Sequence, residues 1–231
     1  MPVAADFNQV SNLRNNLSWN FVGQVVAKTS LLLFHIIFAN HVGAGSYGEF
    51  SFVFVGGLIL LQPALDLGLN QLITKWVSRG NTEVISHSFR IKVFTALGLI
   101  PLVFLIGWWM EINLLLLLTV LGFFLINTLQ QSLFGILRGL EDLRPESLTV
   151  ALQNLLALII LGIFVFQEIA DPWIGSLVLM LTRLAGTVFI SGIIWIKYQT
   201  NLKKSESSFE LLGSKTLLSE AITLGLVLFL I

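Results

Sequence analysis

Cysteine is absent from this chain of 231 residues. The absence excludes disulfides, thiol catalysis and cysteine-ligated metals. The three histidines stand at positions 35, 41 and 87, without the spacing of a metal site. We therefore expect no metal and no cofactor. We do not expect an enzyme either, because no apolar run pairs a nucleophile with a base and no loop carries a phosphate-binding glycine motif.

Charged residues are also scarce. They make up 11% of the chain, whereas soluble domains contain about 25%. Thirteen basic residues balance thirteen acidic ones, and this formal net charge of zero gives no reason to expect a nucleic-acid partner. The remainder is strongly apolar, with 55% hydrophobic residues and a mean hydropathy of +0.88. The apolar runs do not alternate as outer-membrane strands do, so the composition indicates a polytopic α-helical membrane protein.

Six apolar runs are long enough to cross the ~30 Å hydrocarbon core of a bilayer. Their approximate bounds are 18–38, 47–74, 91–110, 113–137, 148–166 and 173–196. We predict an all-α fold, a polytopic membrane helix bundle of six transmembrane helices over residues 1–196. A cytoplasmic linker over 197–219 and the start of a truncated seventh transmembrane helix over 220–231 follow. The first run has no small-residue cleavage site, so we expect it to remain as a membrane helix.

Basic residues predict the orientation, because Lys and Arg concentrate in cytoplasmic loops. With the N-terminus inside, eleven of the thirteen basic residues fall on the cytoplasmic side, and the outer loops carry only acidic ones. The inner loop 75–90 mixes apolar and charged residues, which fits either a short amphipathic helix at the membrane interface or a solvated loop. The other two bases, Lys28 and Arg183, lie near the midpoints of the first and sixth spans.

Polar residues recur at helical spacing in four of the six spans. The first span carries Asn20, Gln24 and Lys28, and the second carries Gln62, Asp66 and Asn70. A Lys or Arg at the centre of a span costs about 2.5–3.5 kcal/mol on insertion scales, so it normally faces a bundle interior or a water-filled cavity. We interpret Lys28 and Arg183 as the cationic part of a hydrated cavity. The alternative is structural: Lys28 and Asp66 pair with each other, which requires a tilted or kinked helix, or with neighbouring backbone.

Proline and glycine are expected to shape the spans. Pro63 removes a backbone N–H and should loosen or kink the second span. Several glycines are expected to permit close helix packing. They are Gly56, Gly57, Gly98, Gly122 and Gly162.

Three segments carry a resemblance to a known family. They are LLLFHIIFANHVGAGSYGEFSF, LQPALDLGLNQLITKWVSRG and GILRGLEDLRPESLTVALQNLLALI. In this order and at these spacings they resemble polysaccharide-biosynthesis membrane proteins, the Wzx-type oligosaccharide (O-antigen) flippases. The superfamily of these flippases includes MATE drug exporters and lipid II flippases. The resemblance covers essentially the whole chain.

The resemblance implies movement of an undecaprenyl-pyrophosphate-linked oligosaccharide across the bacterial inner membrane, with the N-terminus cytoplasmic, by alternating access of two helix bundles. It implies a cationic substrate-binding cavity and a gate or ion-coupling site. The cavity residues are Lys28, Arg183, Gln24 and Asn20, and the gate residues are Asp66, Gln62 and Asn70. Implied partners are the lipid-linked oligosaccharide, membrane lipids, a polysaccharide polymerase and other assembly proteins. Since the family has two bundles, we expect this chain to be an N-terminal half: a truncated product or fragment, or alternatively a half-transporter that dimerises.

Two other functions stay open. The first is a cation-coupled multidrug antiporter of the same architecture, which needs an acidic cavity, whereas this chain has Asp66 against two bases at membrane depth. The second is a non-transporting membrane assembly or scaffold subunit.

Overall fold

The apolar runs form long helices. A computed structural model describes residues 7–81, 83–169 and 171–205, with side chains from residue 18 to residue 197. The helices are α1 (Phe7–Gly56), α2 (Gln62–Asp66), α3 (Leu69–Ser78), α4 (Glu83–Trp109), α5 (Leu114–Gly139), α6 (Arg144–Phe166) and α7 (Pro172–Ser205), and a π-helical turn (Gly57–Leu61) joins α1 to α2. The predicted seventh helix and residues 206–219 of the predicted linker lie outside the described residues.

The first long helix contains two crossings. Its apolar part together with the π-helical turn and α2, Ser18–Asp66, has 49 residues, about 74 Å of helix at 1.5 Å per residue, more than twice the hydrocarbon core. Gly43 interrupts the helix with φ 81° and ψ 165°, a conformation that residues other than glycine rarely adopt. The described residues hold five helices of membrane-crossing length and composition, and the first is divided in two at Gly43. The prediction of an all-α bundle with six spans is confirmed.

The second crossing is irregular towards its end. The π-helical turn comes directly before α2, and Pro63 is the second residue of α2. The sharp break comes at Leu67 and Gly68, which have φ values of 46° and 77°. Pro63 therefore lies beside a loosened, π-helical turn, as predicted, while the left-handed torsions begin four residues later, at Leu67.

Two predicted boundaries fall within helices. Most of the predicted inner loop 75–90 is helical, because α3 continues to Ser78 and α4 begins at Glu83. Its location at the membrane interface stays a prediction. Val77 and Val84, at these two helix ends, are both buried in hydrophobic clusters. The predicted linker from residue 197 begins as helix, because α7 continues to Ser205.

Helix α5 lies at the centre of the bundle. It packs against α7 on one side and α3 on another, while α1 packs against α6. The largest hydrophobic cluster joins α1 to α5 through aromatic rings, for example Phe54 and Phe123 with ring centroids 5.0 Å apart. Large apolar side chains cover the outside, among them Trp109, which is 84% exposed. Such an apolar exterior fits contact with lipid.

Glycines permit close helix contacts at positions that the sequence only partly indicated. A Cβ atom at Gly57 would collide with Phe124, and one at Gly122 would lie 2.5 Å from the sulfur of Met180. The predictions for these two are confirmed. Among the described residues, no neighbouring atom lies within 4 Å of a Cβ placed at Gly56, Gly98 or Gly162, so their predicted role in packing the described helices is wrong. Several glycines that were not predicted do have close neighbours: Gly23, Gly107, Gly139, Gly175 and Gly186.

Gly139 gives a direct test of helix packing. Its Cβ in a Gly139→Ala variant would lie 2.8 Å from the Cβ of Val77 and 2.9 Å from the backbone oxygen of Thr74. We expect a loss of about 1–3 kcal/mol in unfolding free energy from overpacking. Gly162→Ala is the matched control, since none of the described neighbouring atoms lies within 4 Å of a Cβ there and alanine favours helix by up to about 1 kcal/mol. Thermal unfolding in detergent measures both, and equal midpoints would contradict the packing role of Gly139.

Candidate functional site

A buried lysine lies beside the break in the second crossing. Lys92 is 1% exposed, and its Nζ lies 3.1 Å from Oδ1 of Asp66. The same ammonium donates to Oδ1 of Asn70 at 2.7 Å, to Oγ of Ser132 at 2.7 Å and to the backbone oxygen of Thr128 at 3.2 Å. Four oxygen atoms therefore surround one positive charge, and we call these groups with Lys92 the oxygen cage.

The oxygen cage joins four helices. Asp66 ends α2 and Asn70 lies in the first turn of α3, so the two residues flank the break at Leu67 and Gly68. Oδ1 of Asp66 also accepts the backbone N–H of Asn70 at 3.3 Å, across the break. Thr128 and Ser132 are one turn apart on α5, and Lys92 belongs to α4. The ammonium thus ties both sides of a broken helix to the central helix of the bundle.

This geometry corrects the structural alternative from the sequence. Asp66 pairs with Lys92 and not with Lys28, whose side chain is exposed. Lys92 was missed because it lies near the start of the predicted third span and was counted among the cytoplasmic bases. The helix that carries it begins at Glu83, nine residues earlier, which places Lys92 inside the bundle.

A polar cleft of about 460 Å³ opens beside the oxygen cage. The three predicted gate residues, Asp66, Gln62 and Asn70, all line it. Its other lining residues are Leu58, Pro63, Gln71, Thr128, Gln131 and Arg138. Arg138 forms an ion pair with the buried carboxylate of Glu146 at the start of α6. The structure therefore brings the gate residues together, with four amide side chains, one carboxylate and one guanidinium around a common space.

Arg183 lies in a second polar region, between α5, α6 and α7. It is half-buried, and its Nη1 donates to Oε1 of Gln130 at 3.3 Å. Its guanidinium carbon lies 5.5 Å from the ring centroid of Phe123, a cation–π contact. Gln130 in turn donates to Oε1 of Gln153 at 2.9 Å. Within the described residues no carboxylate forms an ion pair with Arg183.

Gly186 makes the amide chain possible. A Cβ atom there would collide with Oε1 of Gln153 and lie 2.7 Å from Nε2 of Gln130. Both glutamines are buried, and Nε2 of Gln153 has no hydrogen-bond partner in the described part of the chain. The sequence singled out Arg183 because it lies near the midpoint of a predicted membrane span. Gln130 and Gln153 also lie in apolar runs, but no spacing or motif marked them as partners of Arg183.

The polar residues of the first crossing are more dispersed than predicted. Oδ1 of Asn20 accepts from Oγ of Ser147 at 3.1 Å, and Gln24 is half-buried. Lys28 is exposed on the outside of the described helices, as are Val25 and Leu32 on either side of it along α1. No hydrogen bond in the described part of the chain links Lys28 to the network of Arg183. Their shared role in substrate binding remains a prediction.

Comparison with known families agrees with the fold. A family model described as polysaccharide biosynthesis protein matches residues 13–231. The chain belongs to the polysaccharide biosynthesis protein family. No curated protein sequence matches the chain.

Membership in the polysaccharide biosynthesis family confirms the resemblance found in the sequence. Together with the apolar helices it makes the chain a multi-pass membrane protein. Members of the family are typically transporters and not enzymes. This multi-pass membrane protein therefore has a buried base, Lys92, paired with a carboxylate. It also has a half-buried base, Arg183, for which the described part of the chain provides no carboxylate partner.

The ion pair in the oxygen cage can be tested by a double-mutant cycle. We expect Asp66→Asn and Lys92→Met each to lower the unfolding free energy by about 3–5 kcal/mol, because each leaves a buried charge without its partner. The double variant should lose much less than the sum, because no charge is left unpaired.

Unfolding of the detergent-solubilised chain measures this coupling. The matched control is the cycle of Lys197→Met and Asp142→Asn, an ion pair of 2.7 Å in which the lysine is 58% exposed. We expect a coupling of about 0–1 kcal/mol there. Additive losses for Asp66 and Lys92 would show that the pair is not a unit.

Proposed function

We propose that the protein moves an undecaprenyl-pyrophosphate-linked oligosaccharide from the inner to the outer leaflet of the bacterial inner membrane, as part of an alternating-access transporter. The observation that carries this proposal is Arg183. It is a half-buried base in a membrane helix of a polysaccharide biosynthesis family member, held by an amide and an aromatic ring.

The neutral partners of Arg183 suit a site that takes up an anion. A guanidinium has five N–H donors, and the described contacts engage one of them, with Gln130. A carboxylate partner would neutralise the charge permanently, as Asp66 does for Lys92. An amide oxygen fixes the direction of the guanidinium and leaves its charge unneutralised. Diphosphate oxygens form strong bidentate bonds with such a group, so the pyrophosphate of the lipid-linked substrate fits its chemistry.

Lys28 supplies a second positive charge in this proposal. It projects from the exposed side of α1, where a second helix bundle of an alternating-access transporter would leave the substrate passage. Gln24, half-buried one turn away, and Asn20 offer amide groups to the same side of the helix. These groups suit hydrogen bonds to the head group of the substrate.

The cleft beside the oxygen cage is proposed as the inner gate. With the N-terminus in the cytoplasm, the C-terminal end of α5 lies at the cytoplasmic side. Arg138 at that end lines the cleft, together with Asn70 and Gln71 from the first turn of α3. Asp66, Gln62 and Asn70 line it where the second crossing is broken. A helix break next to a polar cleft is a place where backbone angles can change without losing a full set of helical hydrogen bonds.

The test compares charge and size at position 183. In a transporter of full length, Arg183→Ala should lower flipping of lipid-linked oligosaccharide in proteoliposomes by about 10–100-fold, since a charge-assisted hydrogen bond contributes about 1.5–3 kcal/mol. Arg183→Lys should keep part of the activity, because it retains the charge but not the bidentate geometry.

Surface polysaccharide in cells and the amount of inserted protein are measured beside the flipping rate. Arg90→Ala is the control, because Arg90 is exposed near the start of α4 and should leave the rate unchanged. A normal rate in a folded variant with both Lys28→Ala and Arg183→Ala would reject the cationic role. Absence of flipping by the wild type would favour the scaffold function.

A further inference from the structure

The oxygen cage has the composition of a cation site. Its four oxygen atoms come from the carboxylate of Asp66, the amide of Asn70, the hydroxyl of Ser132 and the backbone of Thr128. Carboxylate, carbonyl and hydroxyl oxygens are the ligands that hard cations such as alkali and alkaline-earth ions take in proteins. All four lie between 2.7 and 3.2 Å from the ammonium nitrogen, although an ammonium group has only three N–H donors.

The charge of the oxygen cage selects the class of cation. Asp66 contributes one negative charge, and the other three ligands are neutral. A single positive charge balances this set, whereas a divalent ion would leave one charge uncompensated in a buried site. An ammonium group and an alkali ion of the size of potassium are close in radius and carry the same charge.

A further oxygen donor lies on the same face of α4. Ser88 is one turn before Lys92, is 1% exposed, and its Oγ has no hydrogen-bond partner among the described residues. Buried hydroxyls normally have a partner. Ser88 therefore adds a buried hydroxyl to the same face of α4 as Lys92, outside the four oxygen atoms that contact the ammonium.

We propose that Asp66, Asn70, Ser132 and the backbone oxygen of Thr128 form a monovalent-cation site, and that the tethered ammonium of Lys92 is its occupant in this protein. The occupant holds both sides of the break at Leu67 and Gly68 against α5. Without a cation, the donors that remain are the hydroxyl of Ser132, 3.2 Å from Oδ1 of Asn70 and from the backbone oxygen of Thr128, and the backbone N–H of Asn70, 3.3 Å from Oδ1 of Asp66. They leave the carboxylate without a balancing positive charge. This inference stands whether or not the protein carries a lipid-linked oligosaccharide.

The first experiment removes the tethered ammonium. The full chain with Lys92→Ala is purified in detergent, and its thermal unfolding is followed in potassium, sodium or choline chloride at equal ionic strength. We expect the wild type to unfold at the same temperature in all three salts. The variant should unfold several degrees lower in choline and recover about 5 °C in potassium or sodium, increasing with concentration, because an ion that binds only the folded state stabilises it.

Two controls separate site binding from general salt effects. Lys92→Ala with Asp66→Asn should lose the response to alkali cations, because the cage then has no negative charge. Lys197→Ala removes an exposed base and should show no cation preference. The yield of monodisperse protein in each salt serves as a second readout, so that a variant that fails to fold in choline is still informative.

The absence of cysteine allows the ammonium to be restored chemically. In Lys92→Cys, 2-aminoethyl methanethiosulfonate forms a disulfide with the only thiol of the chain and places a new ammonium near the position of the old one, releasing methanesulfinate. This should restore the unfolding temperature in choline, whereas the neutral methyl methanethiosulfonate should not. If neither alkali cations nor the aminoethyl group restores the midpoint or the yield, the oxygen cage is not a cation site and the inference is wrong.

Discussion

A positive charge removed from water must be surrounded by oxygen, and much of this structure follows from how Lys92 meets that requirement. Its ammonium takes oxygen ligands from α2, α3 and α5 at once. The break at Leu67 and Gly68 becomes tolerable at membrane depth because polar groups on both sides of it have a common partner. The second crossing, the third and the central helix are therefore joined by one electrostatic contact in addition to their apolar packing.

Arg183 also carries a positive charge away from water, but its partners differ from those of Lys92. Both bases lie in apolar helices, where a charge costs several kcal/mol. Lys92 has a carboxylate and is 1% exposed, so its charge is satisfied within the protein. Arg183 has an amide and a ring as neighbours and is half-buried. A permanently satisfied charge stabilises architecture, whereas a charge held by neutral groups can exchange partners, which is why we assign the substrate role to Arg183 and the gate to the region around Lys92.

The sequence predicted the fold class and the number of crossings because length and hydropathy depend on local composition alone. It also placed Gln62, Asp66 and Asn70 on one helix face, and the structure brings them to one cleft. It did not reveal the partner of Asp66, because Lys92 is 26 positions away and lies near the edge of an apolar run. The glycine contacts were predicted only in part for the same reason: Gly162, which was predicted to pack closely, and Gly139, which was not, both lie in apolar helices, but only the neighbouring helix decides that Gly139 faces Val77. Local sequence patterns identify helices and their polar or apolar faces. The residue that each side chain contacts depends on how the helices pack together, which a single sequence does not show.

The turn at Gly43 has a mechanical consequence. The first two crossings meet at a single residue with helix on both sides, so no flexible loop separates them. A change in the angle between the two crossings must therefore come from the backbone torsions at that glycine. Such a hinge at Gly43 would change the position of Lys28, exposed on the first crossing, relative to the cleft lined by Asp66 at the end of the second crossing.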